Sequence, residues 1–181
     1  MNKTDLIQLL GLTAHIEGGY FRETYRSVEQ LSVPGREEKR SFLTSIYYLL
    51  TNDRPLDQLH RNRSDIMHYF HGGSAVTYWL ISPENELQKV RLGNNLLAGE
   101  TPQLLVPGGY WKTALLETGE YGLLGEAVAP GFDYQDMEVA PPESIESQFP
   151  SLWQILAPHY ASVPPAPGRA SGKISMASPK E

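Results

Sequence analysis

From Ser41 to Ala129 the chain alternates runs rich in β-branched and aromatic residues with Gly, Pro and Asn turns. SFLTSIYYLL (41–50), Leu56–His60, Ile66–His71, AVTYWLI (75–81), ELQKVRL (86–92), QLLV (103–106), YWKTALL (110–116) and YGLLGEAVA (121–129) all read as strands. TNDRP, Gly72-Gly73 and SPEN read as turns between them. Short strands spaced by about 8–12 residues predict a sandwich or small barrel and not a parallel α/β sheet.

The flanks read differently. Thr4 can cap a helix over Asp5–Leu10 that Gly11 ends. In HIEGGYFRETYRS, Gly18-Gly19 marks a turn, and aromatics alternating with charges from Tyr20 to Tyr25 predict a strand. VPGREEKR (33–40) reads as a charged loop. ESIESQFPSLWQIL has helical spacing, which Pro150 should kink or divide. A single domain over residues 1–160 is expected, with a disordered tail over 161–181 rich in Pro, Ala, Ser and Gly.

Composition removes several function classes. Net charge is −6 and no basic block is present, so nucleic acid is not an expected partner. Cysteine is absent, which excludes disulfides, thiolate nucleophiles and Cys-type zinc sites. MNKTDLIQLLGL is too short an apolar run for a signal peptide, and no run reaches membrane-spanning length. A cytoplasmic protein with no membrane partner is the expectation.

Chemistry concentrates in LHRNRSDIMHYFHGG, which holds His60, His68, His71 and Asp65. Strand alternation puts His60 on the same side as Gln58. The spacing Gln58-x-His60-x4-Asp65-x6-Gly72, followed by Pro107-Gly108-Gly109-Tyr110-Trp111-Lys112, resembles the two motifs of cupins. EGGYFRETYRS, Ser-Asp-x-x-His, VPGGYWK and VAPGFDY occur in that order in one uncharacterised cupin-superfamily family, which the chain resembles over about residues 5–140. The resemblance implies a mostly β, cupin-type double-stranded β-helix, a jelly-roll barrel with short flanking helices, paired into a dimer. It supplies no agreed reaction.

Carried over residue by residue, the cupin metal ligands become Gln58, His60, Asp65 and Lys112. A neutral amide and an ammonium replace two histidines, which disfavours a divalent cation. No cofactor is expected, and His60 and Asp65 are the only metal candidates.

A histidine beside a carboxylate is a tunable proton carrier. His60 or His68 with Asp65 could serve. Nucleotide-sugar epimerases of the jelly-roll fold pair such a base with a tyrosine acid, and by that analogy of fold and residue type the acid would be Tyr20, Tyr48 or Tyr69. Gln58, Gln103, Lys112 and Glu126 are candidates to orient a ligand, and Glu17 and Tyr20 to close the barrel mouth. Glu126 stands in an otherwise apolar strand, which places it at an edge or in a polar pocket. His15 and His159 read as structural or exposed. The expected function is binding of a small polar, sugar-like molecule, with isomerase or epimerase chemistry by proton transfer. The alternatives are non-catalytic binding and a metal-dependent oxygenase. Aromatic strands with open edges predict a homodimer.

Overall fold

A computed structural model describes residues 1–163 of the chain. Helix α1 (Lys3–Leu10) precedes strands β1 (Thr13–Ala14), β2 (Tyr20–Arg26), β3 (Gln30–Leu31), β4 (Arg40–Ser41), β5 (Thr44–Thr51), β6 (Leu56–Asn62) and β7 (Asp65–Gly73). Strands β8 (Val76–Ile81), β9 (Leu87–Leu92), β10 (Gln103–Val106), β11 (Trp111–Leu115), β12 (Tyr121–Ala129) and β13 (Met137–Val139) follow. Helices α2 (Pro142–Gln148) and α3 (Pro150–Leu156) come after them, and a 3-10 segment, Ala157–Ser162, follows α3.

Two antiparallel sheets face each other. One has the order β1-β2-β5-β12-β7-β10, the other β13-β6-β11-β8-β9. Apart from β1–β2 and β8–β9, neighbours in space are distant in sequence, as the jelly roll requires. Tyr48, Leu50, Leu124, Tyr78 and Leu80 fill the space between the sheets at one end. The outer face of the five-stranded sheet carries Leu56, Leu59, Trp79, Trp111 and Leu115, and Ile145, Leu152 and Leu156 of α2 and α3 cover it.

The N-terminal cap is Asn2, not Thr4. Its side chain accepts from the Asp5 N–H at 2.9 Å, and Asp5 accepts from the Asn2 N–H at 3.1 Å, a reciprocal pair that starts the helix two residues earlier. Pro150 divides the C-terminal helical run, since it can open a helix but cannot continue one. The charged loop is anchored by Arg36 and Arg40, which donate to buried Asp136 at 2.9 and 2.8 Å. Residues 161–163 belong to the packed end, where Val163 rests against the α2–α3 cluster. The remainder of the expected tail, 164–181, lies outside the described residues. Among the described residues, no helix is long and apolar enough to cross a membrane.

Candidate active site

The sheets separate at the end away from the Tyr48–Leu124 core and enclose a cavity of about 300 Å³. Its floor carries His15, Glu17, His60, Asn62, Lys112 and Glu126, and Phe21, Ile46, Ile66, Val128 and Phe132 supply apolar walls. Register explains the arrangement. His60 pairs with Lys112 in one sheet. Ile46, Glu126 and His68 form a row in the other. Each row points inward, so titratable groups of both sheets meet in one space.

A β-bulge sets the floor. β6 and β11 pair regularly at Arg61 and His60, then the register slips so that Ala114 lies opposite Asp57. Gln58 is the extra residue. Leu56 and Leu59 therefore both face the helices, and Asp57 joins His60 on the inner side although they are three residues apart. Asp57 is fully buried, 3.6 Å from His60 Nδ1 and 3.3 Å from Lys112 Nζ. Asp57 is the inward carboxylate of this strand, and the sequence reading passed over it. Gln58 does not enter the cavity, because its amide donates to the Ile16 carbonyl at 2.9 Å.

Glu17 arrives on the turn before β2. Gly18 has φ +123°, and a Cβ there would run into the Leu56 carbonyl oxygen, so only glycine lets the turn lie against β6. Gln58 N–H donates to the Glu17 carbonyl at 2.8 Å, and the Tyr48 hydroxyl donates to the Gly18 carbonyl at 3.0 Å. Tyr48 thus holds the turn and does not line the cavity.

The protons around Glu17 can be placed by hydrogen-bond logic. His60 Nδ1 lies 2.7 Å from the Gln58 carbonyl, which can only accept, so Nδ1 carries the ring proton and Nε2 keeps its lone pair. His15 Nδ1 accepts from the Glu17 N–H at 3.3 Å and is likewise unprotonated. Glu17 Oε2 stands 3.4 Å from His60 Nε2 and 3.5 Å from His15 Nδ1. A carboxylate between two lone pairs is stabilised by a proton. Burial pushes the Glu17 carboxyl up to about 7, and burial pushes His60 down to about 4. Glu17 and His60 together share one exchangeable proton near neutrality.

Lys112 is the cation of the site. Burial works against its charge, but Asp57, Glu126 and Glu17 surround it and hold its pKa above the ordinary lysine value. On the opposite sheet Glu126 Oε1 lies 3.3 Å from His68 Nδ1, and the Tyr78 hydroxyl is 3.2 Å from the same nitrogen. Burial opposes the Glu126 charge, yet His68 and Lys112 outweigh it and keep the carboxyl well below its usual range.

Other candidates fall elsewhere. Asp65 is exposed on the outer side, because Ile66 and His68 take the inward positions of β7, and its Oδ1 accepts from the Gly108 N–H at 2.8 Å. The expected His60–Asp65 pair is therefore replaced by Glu17–His60. Asp65 instead ties down the Pro107-Gly108-Gly109 turn. Gln103 is exposed on the outer face of its sheet, opposite Tyr69. Tyr20 packs near α1 beneath the Arg54 guanidinium, away from the mouth. Tyr69 occupies the outer face with Gly125. His71 meets Tyr47 edge to face, also outside, with ring centroids 5.9 Å apart.

Glu17, Asp57 and His60 present donor atoms within 4.8 Å of one another, a spacing a cation could use. Asp65 is not part of that set. The set fits a divalent ion poorly, because the Lys112 ammonium already balances Asp57 at 3.3 Å and would repel a second cation.

Residues 4–140 match the family described as Cupin superfamily (DUF985). The chain belongs to this family. Uncharacterized protein YML079W of Saccharomyces cerevisiae is 38% identical over 138 residues, covering 69% of this chain and 68% of the yeast protein. Protein SO0799 from Shewanella oneidensis has a solved structure with TM-score 0.78 and 36% identity, over 87% of this chain and 96% of that one. A hypothetical protein from Leishmania major aligns with TM-score 0.76 and 27% identity, over 90% and 97% of the two chains. In this family member the cupin barrel encloses a polar floor under apolar walls, which is the form of a small-molecule site.

Proposed function

We propose that the cavity binds a small polar, sugar-like carbonyl compound and catalyses proton transfer at the carbon next to the carbonyl, as an isomerase or epimerase does. The observation that carries this reading is Glu17, a buried carboxyl with pKa about 7 set 3.4 Å from the unprotonated Nε2 of His60 on the cavity floor. A base poised near neutrality abstracts weakly acidic protons most effectively. Lys112 supplies the second requirement, a fixed positive charge where negative charge develops on the carbonyl oxygen. The amide of Asn62 adds a donor. Its Oδ1 accepts from the Ser64 N–H, and its buried Nδ2 has no partner among the described residues, so a ligand oxygen can take it.

In this mechanism Glu17 removes the proton from C2 of a 2-hydroxyaldehyde. The C–H pair moves into a C1–C2 double bond, and the carbonyl pair moves onto O1 beside Lys112. His60 Nε2 accepts the proton from Glu17 or returns it. Phe21, Ile46 and Phe132 exclude water and strengthen each charge interaction.

Deuterium wash-in from D₂O at C2 of D-erythrose, followed by proton NMR, tests the proposal. The parent protein should exchange the proton, and Glu17→Gln should slow exchange by at least about 100-fold. Binding of the sugar without exchange reduces the protein to a non-catalytic binder. Exchange that needs added metal restores the metal-dependent reading.

A twofold dimer and a cytoplasmic location belong to the same proposal. The outer face of the six-stranded sheet supports the dimer, since Tyr47, Met67 and Tyr69 are half-buried and Leu105 is exposed there. Light scattering at micromolar concentration should give twice the chain mass, and a monomer mass counts against it.

A further inference from the structure

Glu126 and His68 take no part in the mechanism above, yet both are buried, and Glu126 lines the same cavity with His68 directly behind it. Their position suggests a use. Glu17, on the turn that lies against β6, and His60 of β6 make one wall, and Glu126 of β12 and His68 of β7 make the facing wall. Each wall thus carries one carboxyl that lines the cavity and one imidazole behind or beside it, at 3.4 Å on the first and 3.3 Å on the second. Lys112 sits with the first pair, and its charge is felt by both carboxyls. His68 is fully buried, with Nε2 unpartnered among the described residues and Nδ1 turned to Glu126 and to the Tyr78 hydroxyl, so Glu126 is the group that links it to the cavity.

We infer that this is a two-base site, which moves a proton from one face of a carbon to the other, so that the protein is an epimerase of 2-hydroxyaldehydes and not an aldose–ketose isomerase. The inference rests on the proton-transfer reading of the same cavity and goes further by assigning a second catalytic carboxyl, Glu126, with His68 as its positioning residue.

The steps balance without a redox partner. Glu17 takes the C2 proton from one face, and the C–H electron pair forms the C1–C2 double bond while the C=O pair moves to O1 beside Lys112. A proton held by the Glu126–His68 pair is then given to C2 from the opposite face, and the O1 pair re-forms the carbonyl. Glu17 ends protonated and the Glu126–His68 pair ends one proton short. Exchange with solvent, or the reverse reaction, resets both. An aldose–ketose isomerase needs only one base that returns its proton to the neighbouring carbon, and a second carboxyl–imidazole pair on the other wall would have no task.

The test uses D-erythrose and D-threose, which differ only at C2, and D-erythrulose, the ketose isomer of both. Each sugar is incubated in D₂O with parent, Glu17→Gln and Glu126→Gln protein, and deuterium at C2 and the sugars formed are followed by NMR. The parent should interconvert erythrose and threose and form little erythrulose. Each variant should lose interconversion by about 100-fold or more. The two variants should also shift the ratio of wash-in between the two epimers in opposite directions, because each removes the base for one face. Glu126→Asp, which keeps the charge facing His68 but withdraws it from the substrate, should shift the ratio in the same direction as Glu126→Gln and covers the case in which the amide fails to fold.

Erythrulose as the main product overturns the two-base assignment while leaving proton transfer standing. So does equal loss of wash-in from both epimers in every variant. No exchange with the parent protein overturns both readings.

Discussion

The proton on Glu17 has a consequence for folding that requires no ligand. In the unfolded chain this carboxyl titrates near its ordinary 4.5, and in the folded protein near 7. Between those values the unfolded chain releases a proton that the folded protein keeps. Glu17 therefore contributes stability that is fully present below pH 4.5 and is lost as the pH rises to about 7. A factor of ten in proton affinity is worth about 1.4 kcal/mol, so the displacement corresponds to about 3 kcal/mol in all. Glu17→Gln removes this titration and keeps the shape. The stability of Glu17→Gln minus that of the parent should thus climb by about 3 kcal/mol from pH 4.5 to pH 7.5, or about 6–12 °C in relative Tm for a chain of this size. His60 works in the opposite sense. Its stabilising effect is present above 6.5 and is lost as the pH falls through about 4, but both proteins share it and it largely leaves the difference. Urea denaturation of both proteins at several pH values measures the quantity. A difference that stays flat from pH 4.5 to 7.5 would show that Glu17 titrates as an ordinary carboxylate and is no poised base.

Other expectations follow from the same contacts. Wash-in of deuterium into D-erythrose should rise with pH and level off above about 7 as Glu17 loses its proton, and a pH-independent rate would separate it from catalysis. Asp136→Ala strands the guanidiniums of Arg36 and Arg40, with Arg40 only 3% exposed, and should cost about 3–5 kcal/mol by urea denaturation. A loss under 1 kcal/mol would show that the cluster is solvated. Asp65→Asn should cost no more than about 1 kcal/mol and leave sugar exchange intact, since it touches only the Gly108 turn. Loss of exchange would return Asp65 to the site. Lys112→Met should bind zinc more tightly than the parent by calorimetry, because it leaves Glu17, Asp57 and His60 without their built-in cation, and unchanged affinity would refute that electrostatic argument.

The sheets were legible because alternation with period two survives in most strands, and the turns between them carry Gly, Pro and Asn. Alternation assigns residues to two faces without saying which face is inward. Gln103 and Tyr20 were placed on the wrong side for that reason. The site itself depends on a break in alternation. Leu56 and Leu59, apolar at a spacing of three inside a strand, were the local sign of the bulge that turns Asp57 inward. Reading straight through that bulge put Gln58 in the place Asp57 holds. Glu17 was visible as a candidate at the barrel mouth, but its partner His60 lies 43 positions away along the chain and meets it only because Gly18 lets the turn touch β6. His15 looked structural in sequence, and its lone pair beside Glu17 is a product of that same turn.

The most direct measurement is the protonation of His60, read by ¹⁵N NMR of histidine-labelled protein with and without D-erythrose. The proton assignment predicts a neutral ring with the proton on Nδ1 and a bare Nε2 from pH 5 to 8, and a shift of the Nε2 resonance when the sugar binds. A ring that becomes charged near pH 6.5, or a bound sugar that leaves Nε2 unmoved, would contradict the claim that Glu17 and His60 form the proton carrier of the ligand cavity.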